Sequence, residues 1–113
     1  MIKKIAPILP ALNLEETMCF YRDKLKLKIS VHPDYLVVYD KNIEIHFYKT
    51  SDKYLCDNSS CFILVSNIED MYLCLSALDI IHPKGKLETK PWGLKEFSIF
   101  DNNGNLLRFT ERL

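Results

Sequence analysis

The sequence predicts an α+β domain in which two strand–helix–strand–strand–strand (βαβββ) modules form a cupped mixed sheet with the helices outside. Two amphipathic helical segments start 54 residues apart, at Asn13 and Asn67, and each follows a short apolar run typical of a strand. Turn signals separate the apolar runs after each helix, namely HPD, DKN, HPKG and DNNGN. Each module is too short to bury its own sheet well, so we expect one domain over residues 1–113.

Within this domain we place module 1 at residues 1–50, a linker at 51–58 and module 2 at 59–113, with the segment around the linker predicted as a loop. Hydrophobic residues make up 48% of the chain, which suffices for a packed core. Basic and acidic residues number 15 each, whereas a nucleic-acid-binding protein shows a basic excess. No apolar run approaches the roughly 20 residues of a membrane helix. We therefore expect neither a nucleic acid nor a membrane as partner.

The cysteines and the N-terminus predict a cytoplasmic protein. The four cysteines stand at positions 19, 56, 61 and 74, and no two of them have C-x-x-C spacing. We expect four reduced thiols. No long apolar run follows the first four residues, so no signal peptide is predicted.

Both helices begin with a recognisable cap. In the first, Asn13 and Glu16 form a pattern like a capping box, and apolar residues recur at helical spacing over Leu14–Leu25. In the second, Asn67 is the predicted cap and Asp70 stands three residues later. We expect each helix to cover one sheet with its apolar stripe.

The strands show which face meets the helices. In NIEIHFYK, Ile43, Ile45 and Phe47 alternate with Glu44, His46 and Tyr48, so the two sets lie on opposite faces. The last hairpin turns at Asn102-Asn103-Gly104, which we interpret as a turn and nothing more. Its predicted core face contains Phe97, Ile99, Leu107 and Phe109, and its other face contains Glu96, Ser98, Phe100, Leu106, Arg108 and Thr110. We expect the two mixed faces to line a cleft for a small molecule.

The layout and two stretches of sequence resemble the vicinal oxygen chelate superfamily. PALNLEETMCFYRDKLKL (10–27) is similar to that family's first strand–helix unit. PWGLKEFSIFDNNGNLLRF (91–109) is similar to its bleomycin resistance branch, where P-W-G-x-x-E-F followed by D-x-x-G-N-x-x-x-F is typical. The resemblance covers nearly the whole chain and implies the glyoxalase/bleomycin resistance fold. It also implies a homodimer that binds its ligands between the subunits.

Catalytic members of the superfamily hold a divalent metal with four side chains, and the resemblance places those positions at Ala6, Glu44, Cys61 and Arg108. Alanine donates no electron pair and arginine is a permanent cation, so this set does not suit a metal. We therefore predict no metal, no cofactor and no catalytic residue. Whether Glu44 and Arg108 form an ion pair that closes the old site, or contact the ligand, stays open. The alternative is a metal-dependent enzyme of the glyoxalase or dioxygenase type with a non-standard site, formed by Glu44, His46 and Cys61.

The resemblance and the strand faces together give the candidate ligand-binding residues. They are Trp92, Asp34, Tyr35, Glu44, His46, Glu96, Ser98 and Arg108. In the resembling branch the tryptophan of the P-W-G bend stacks on a flat part of the ligand. Three alternatives stay open: Trp92 plugs the end of the sheet, His46 is an ordinary hydrogen-bonded strand residue, and Asp34 with Tyr35 forms only a turn.

The predicted function is sequestration of a bleomycin-like glycopeptide antibiotic in a dimer cleft, which lowers the concentration of free ligand. A dedicated binder of cationic drugs benefits from an acidic cleft. This chain has a formal net charge of zero, and Arg108 lies in the predicted cleft. An unknown metabolite therefore stays open as the native ligand.

Overall fold

The computed structural model describes all 113 residues and contains eight strands and three helices. The elements are β1 (Ile8–Ala11), α1 (Leu14–Asp23), β2 (Lys28–His32), β3 (Tyr35–Asp40), β4 (Ile43–Lys49), α2 (Lys53–Asp57), β5 (Ser60–Leu64), α3 (Ile68–Ser76), β6 (Glu88–Lys90), β7 (Leu94–Phe100) and β8 (Leu106–Arg112). Sheet A has the strand order β1-β4-β3-β2, and sheet B repeats it as β5-β8-β7-β6. In each sheet the first strand runs parallel to its neighbour and the other pairs are antiparallel. The predicted α+β fold of two βαβββ modules is confirmed, with the strands in two four-stranded sheets.

The segment predicted as a loop between the modules contains the short helix α2. Asp52 caps it, since the Asp52 side chain accepts a hydrogen bond from the Tyr54 backbone N–H. The loop prediction was wrong because five residues are too few to show helical periodicity. None of the three helices has the length and hydrophobicity that crossing a membrane would require.

The two long helices begin in different ways. At α1 the predicted cap is confirmed, because the Asn13 side chain accepts a hydrogen bond from the Glu16 backbone N–H at 2.9 Å. At α3 the prediction was wrong: Asn67 has a left-handed backbone (φ +54°), and its side chain makes no capping bond. The Glu111 carboxylate from β8 accepts from the backbone N–H groups of Asn67 and Ile68 instead, both at 3.2 Å. A residue 43 positions away thus supplies the cap.

The predicted division of the strand faces is confirmed. Ile45 and Phe47 of β4 are buried on the side of sheet A that faces α1. In sheet B, Phe97 pairs with Phe109 and Ile99 pairs with Leu107, and all four are buried. The Phe97 and Phe109 rings stack with their centroids 5.1 Å apart. The opposite faces of both sheets are therefore left for other contacts.

The turn between β7 and β8 joins the two modules, so its interpretation as a turn and nothing more was wrong. The buried Asn103 side chain accepts from the Leu12 backbone N–H at 2.9 Å and donates to the Thr17 hydroxyl at 3.0 Å. Asn105 donates to the Pro10 carbonyl at 2.9 Å. The turn sequence showed only the backbone requirement, whereas these side chains satisfy buried groups of module 1.

Asp101, at the start of this turn, holds the Tyr21 hydroxyl from α1. The Tyr21 O–H donates to the Asp101 carboxylate at 2.7 Å, and both side chains are buried. Burial, and then the charge of Asp101, raise the pKa of the Tyr21 phenol well above its ordinary value. In the unfolded chain the same phenol loses its proton near pH 10. The phenol therefore contributes stability that is fully present below about pH 10 and is lost as the pH rises above it.

We expect Tyr21→Phe to show this linkage. At pH 7 the variant should unfold with a free energy about 1.5–3 kcal/mol lower, because a hydrogen bond to a buried charged group is lost. Between pH 9.5 and 11 the stability of the wild type should fall more steeply than that of the variant. Urea unfolding at each pH measures both effects. Two parallel pH profiles would contradict the assignment.

Candidate functional site

The face of sheet A opposite α1 is mostly polar and aromatic, with Val37 between Ser30 and His46. Strand alternation and register place the members of this set side by side: Ser30, His32, Tyr35, Tyr39, Glu44, His46 and Tyr48. Glu44 and His46 each keep 25% of their side chains exposed, so this face is open to a ligand. We call it the sheet A polar face.

Three of the predicted residues form one hydrogen-bonded chain on the sheet A polar face. The Tyr35 hydroxyl lies 2.7 Å from His46 Nδ1, and His46 Nε2 lies 2.6 Å from Glu44 Oε2. The second carboxylate oxygen, Glu44 Oε1, accepts from Lys4 Nζ at 2.6 Å. An ionised carboxylate only accepts, so Nε2 carries a hydrogen and a neutral ring leaves Nδ1 to accept from Tyr35.

Among these three hydrogen-bonded residues, Glu44 has the negative charge. The hydrogen bond from Lys4, and then the one from His46, lower the pKa of the Glu44 carboxyl below its ordinary value. Glu44 is therefore ionised at neutral pH and orients the imidazole of His46. His46 is therefore a hydrogen-bonded strand histidine, as one of the open alternatives states, but its partners Tyr35 and Glu44 are themselves candidate ligand-binding residues.

A second group lies on the face of sheet B opposite α3. Glu96 is nearly covered, with 14% of its side chain exposed, and Arg108 Nη2 lies 3.4 Å from its carboxylate. Lys90 Nζ lies 3.9 Å away, and the Thr110 hydroxyl donates at 3.3 Å. Ser98 pairs with Arg108 in the ladder, and its Cβ lies close against Gly85. Two cations thus offset the charge of this carboxylate.

The remaining predicted residues lie in exposed turns. Trp92 is in the turn between β6 and β7 with 69% of its surface exposed, so it does not plug the end of the sheet. Gly93 beside it has a φ of +86°, which a side chain would oppose. Asp34 has a φ of +53° in the turn between β2 and β3. Its neighbour Tyr35 does more than form this turn, because it binds His46.

The structure therefore divides the predicted site into separate parts. No hydrogen bond or ion pair links the chain on sheet A to the group on sheet B. The possible ion pair between Glu44 and Arg108 does not form: Glu44 pairs with Lys4 and His46, and Arg108 pairs with Glu96. The two residues lie on different sheets. Lys4 precedes β1 in the same module as Glu44, and Glu96 lies in the same sheet as Arg108.

A groove with a volume of about 960 Å³ lies between the modules. It differs from the expected cleft, because most of its lining is apolar and includes residues of the two core faces. The lining includes Ile5, Leu25, Leu27, Ile43, Ile45, Phe62, Leu64, Met71, Leu107 and Phe109. Glu44 is the one predicted ligand-binding residue that reaches it.

The side chains at the superfamily's metal positions do not fit a metal ion. Ala6 offers no donor, and the guanidinium of Arg108 already pairs with Glu96. Burial raises the pKa of the Cys61 thiol, which disfavours a thiolate ligand. The alternative set of Glu44, His46 and Cys61 is not assembled, as no group of three or more His, Cys, Asp or Glu residues is arranged to hold a metal ion.

Sequence reasoning missed four residues of the site. Ser30, His32 and Tyr39 join the sheet A polar face because His32 pairs with Tyr35 across a two-residue turn. The alternation of polar and apolar residues in KISVH, before that turn, is the sequence signal for this placement. Lys4 gives no signal, because its contact spans 40 positions.

Comparison with curated proteins finds relatives that are named bleomycin resistance proteins. The chain is 26% identical to the bleomycin resistance proteins of Geobacillus stearothermophilus and Staphylococcus aureus, over 95% of this chain and 95% of each relative. No known family model matches the chain.

Solved structures show the same fold. The bleomycin resistance determinant of transposon Tn5 superposes with a TM-score of 0.83 at 19% identity, covering 98% of both chains. The bleomycin-binding protein of Streptomyces verticillus, solved with copper(II)-bleomycin, has a TM-score of 0.83 at 23% identity over both full chains. A glyoxalase-related enzyme from Clostridium phytofermentans also reaches 0.83, at 19% identity, over 100% of this chain and 97% of the other. In sequence and in fold the chain therefore resembles the bleomycin resistance branch of the vicinal oxygen chelate superfamily.

Proposed function

We propose that the chain sequesters a bleomycin-type glycopeptide, or a flat metabolite of similar chemistry, without metal chemistry of its own. The observation that carries the proposal is the similarity to bleomycin resistance proteins along 95% of the chain. The residues at the superfamily's metal positions support binding without catalysis, because alanine and arginine stand at two of the four. Its cytoplasmic location stays a prediction.

The exposed side chains support a ligand with a flat part and a cationic part. Trp92 offers an open indole face, and aromatic stacking contributes about 0.5–1.5 kcal/mol beyond the area buried. The ionised Glu44 offers a negative charge beside the apolar groove between the modules. Asp34 is an exposed carboxylate at the edge of the sheet A polar face.

A homodimer is part of the proposal. Ile2 and Ile5 of the N-terminal arm and Phe62 and Leu64 of β5 are exposed apolar residues, and β1 and β5 each leave one strand edge unpaired. Proteins rarely leave such edges and patches open, so a second copy would cover them. Sedimentation should give twice the mass of one chain.

We expect a bleomycin-type glycopeptide to stabilise the protein. At a ligand concentration one hundred times the dissociation constant, the free energy of unfolding should rise by about 2.7 kcal/mol. Trp92→Ala should weaken binding by about two- to tenfold, because the stacking contribution is lost. Calorimetric titration of both proteins measures this.

The matched control is Tyr54→Ala on α2, which removes an equally exposed aromatic ring, 70% against 69%, elsewhere on the molecule. It should bind like the wild type. Absence of binding to the wild type would refute the glycopeptide as ligand. Equal affinities of the Trp92 and Tyr54 variants would refute the stacking role alone.

A further inference from the structure

We propose that Tyr35, His46 and Glu44 form a subsite for a donor-only cationic group of the ligand, an ammonium or an amidinium, and that Lys4 occupies its place in the free protein. The proposal deepens the proposed function, on which it rests for the identity of the complete ligand. It names the chemical group that this part of the polar face recognises.

The first argument is a count of the hydrogen-bond donors and acceptors that Tyr35, His46 and Glu44 have left after bonding to one another. With His46 neutral, its Nε2–H is used by Glu44 and its Nδ1 accepts the hydrogen of the Tyr35 hydroxyl. What remains toward solvent is the lone pairs of the Tyr35 oxygen and of the Glu44 carboxylate. Such a surface offers acceptors only, so it pairs well with a group that has only donors. Ammonium, amidinium and guanidinium groups have this property, and amides and carboxylates do not.

Lys4 shows the binding mode. Its ammonium is a donor-only cation, and it lies 2.6 Å from Glu44 Oε1 on an arm that precedes β1. The Lys4 side chain is 59% exposed, and an ion pair with so exposed a partner contributes little to stability. A ligand cation that also contacts the neighbouring apolar groove would therefore displace Lys4 at low cost.

The aromatic surroundings favour a cation as well. Tyr39 pairs directly with Glu44 in the ladder. On the same face, Tyr35 pairs with Tyr48 two rows farther along, beyond the row of His46. An aromatic ring attracts a cation that lies over its face, so tyrosines on the same face as Glu44 favour a cationic group over a neutral one. A planar amidinium suits such surroundings better than a compact ammonium does.

The carboxylate on sheet B is a poor alternative. Glu96 is 14% exposed and already faces Arg108 and Lys90, which are held on the strands β8 and β6. The only cation on Glu44 besides the imidazole partner comes from the exposed arm. Of the two carboxylates, Glu44 is thus the one that a ligand cation can reach and compete for.

The test uses benzamidine and its neutral isostere benzamide, titrated into the full-length chain at pH 7.5 and followed by NMR chemical shifts. We expect benzamidine, and not benzamide, to shift the resonances of Glu44, His46 and Tyr35. Lys4→Met should bind benzamidine about two- to fivefold more tightly than the wild type, because the internal competitor is gone. Glu44→Gln should bind it about tenfold more weakly.

Lys3→Met is the matched control, because it removes the same charge from the same arm at a lysine without an ion pair. It should leave the affinity for benzamidine unchanged. Equal binding of benzamidine and benzamide, or equal affinities of the Lys3 and Lys4 variants, would overturn the proposal. Glycopeptide titrations separate the two proposals: benzamidine binding without glycopeptide binding refutes the proposed function alone. Glycopeptide binding that Glu44→Gln leaves intact, with no benzamidine binding, refutes the subsite alone.

Discussion

Asp101→Ala should destabilise the protein by about 3–5 kcal/mol, a large share of the stability of a single domain. The Asp101 carboxylate accepts four hydrogen bonds in the interior: from the Tyr21 hydroxyl, the backbone N–H groups of Asn103 and Asn105, and the Asn105 side-chain amide. Removing the carboxylate leaves these buried donors without a partner. Because this turn also joins the modules, the loss should weaken the whole fold cooperatively.

Urea unfolding followed by circular dichroism measures this effect. Asp23→Ala is the matched control, since Asp23 is an exposed aspartate paired only with the neighbouring Arg22, and it should cost no more than about 0.5 kcal/mol. Should both variants unfold at the same urea concentration, Asp101 would not be the junction of the two modules.

Phe97→Ala should cost about 3–5 kcal/mol, the usual range for a large ring removed from a core. Phe97 is 1% exposed, stacks on Phe109 and meets the edge of the Tyr72 ring of α3. The variant opens a cavity between sheet B and α3 that these neighbours cannot fill.

Phe100→Ala tests the opposite face of the same strand. Phe100 is 40% exposed and contacts chiefly the His82 ring, with the centroids 4.3 Å apart. We expect the free energy of unfolding to fall by less than about 1.5 kcal/mol, because the partly exposed Phe100 ring buries little apolar area. Chemical unfolding of both variants compares the faces directly. A larger loss at Phe100 than at Phe97 would reverse the face assignment and, with it, the side on which sheet B meets a ligand.

Glu44 on the sheet A polar face and Glu96 on the face of sheet B opposite α3 have different surroundings. On sheet A, Glu44 faces an imidazole, a phenol and one exposed lysine. On sheet B, Glu96 is held between Arg108 and Lys90. In the proposed dimer, a ligand that contacts both faces would meet the proposed cation subsite on one side and a guanidinium on the other. That arrangement agrees with a neutral net charge better than a uniformly acidic cleft does.

Local patterns in the sequence were enough for the modules, α1 and the strand faces. The alternation of Ile43, Ile45 and Phe47 with Glu44 and His46 fixes which side is buried, because the side-chain period of a strand is two. Local patterns could not predict helix α2 or the cap of α3. The first is too short for a periodic pattern, and the second is supplied by Glu111 from a distant strand.

For the candidate site, the sequence by itself determined which residues share a face: Glu44 with His46 on β4, and Glu96 with Ser98 on β7. The resemblance to the superfamily adds that an alanine and an arginine stand at two of the four metal positions. Only the tertiary structure decided the partners of these residues. Lys4 rather than Arg108 pairs with Glu44, and the DNNGN turn fastens the modules, because both contacts join segments that are 40 or more residues apart in the chain. Periodicity records the direction of a side chain, whereas the partner it meets depends on how distant elements pack.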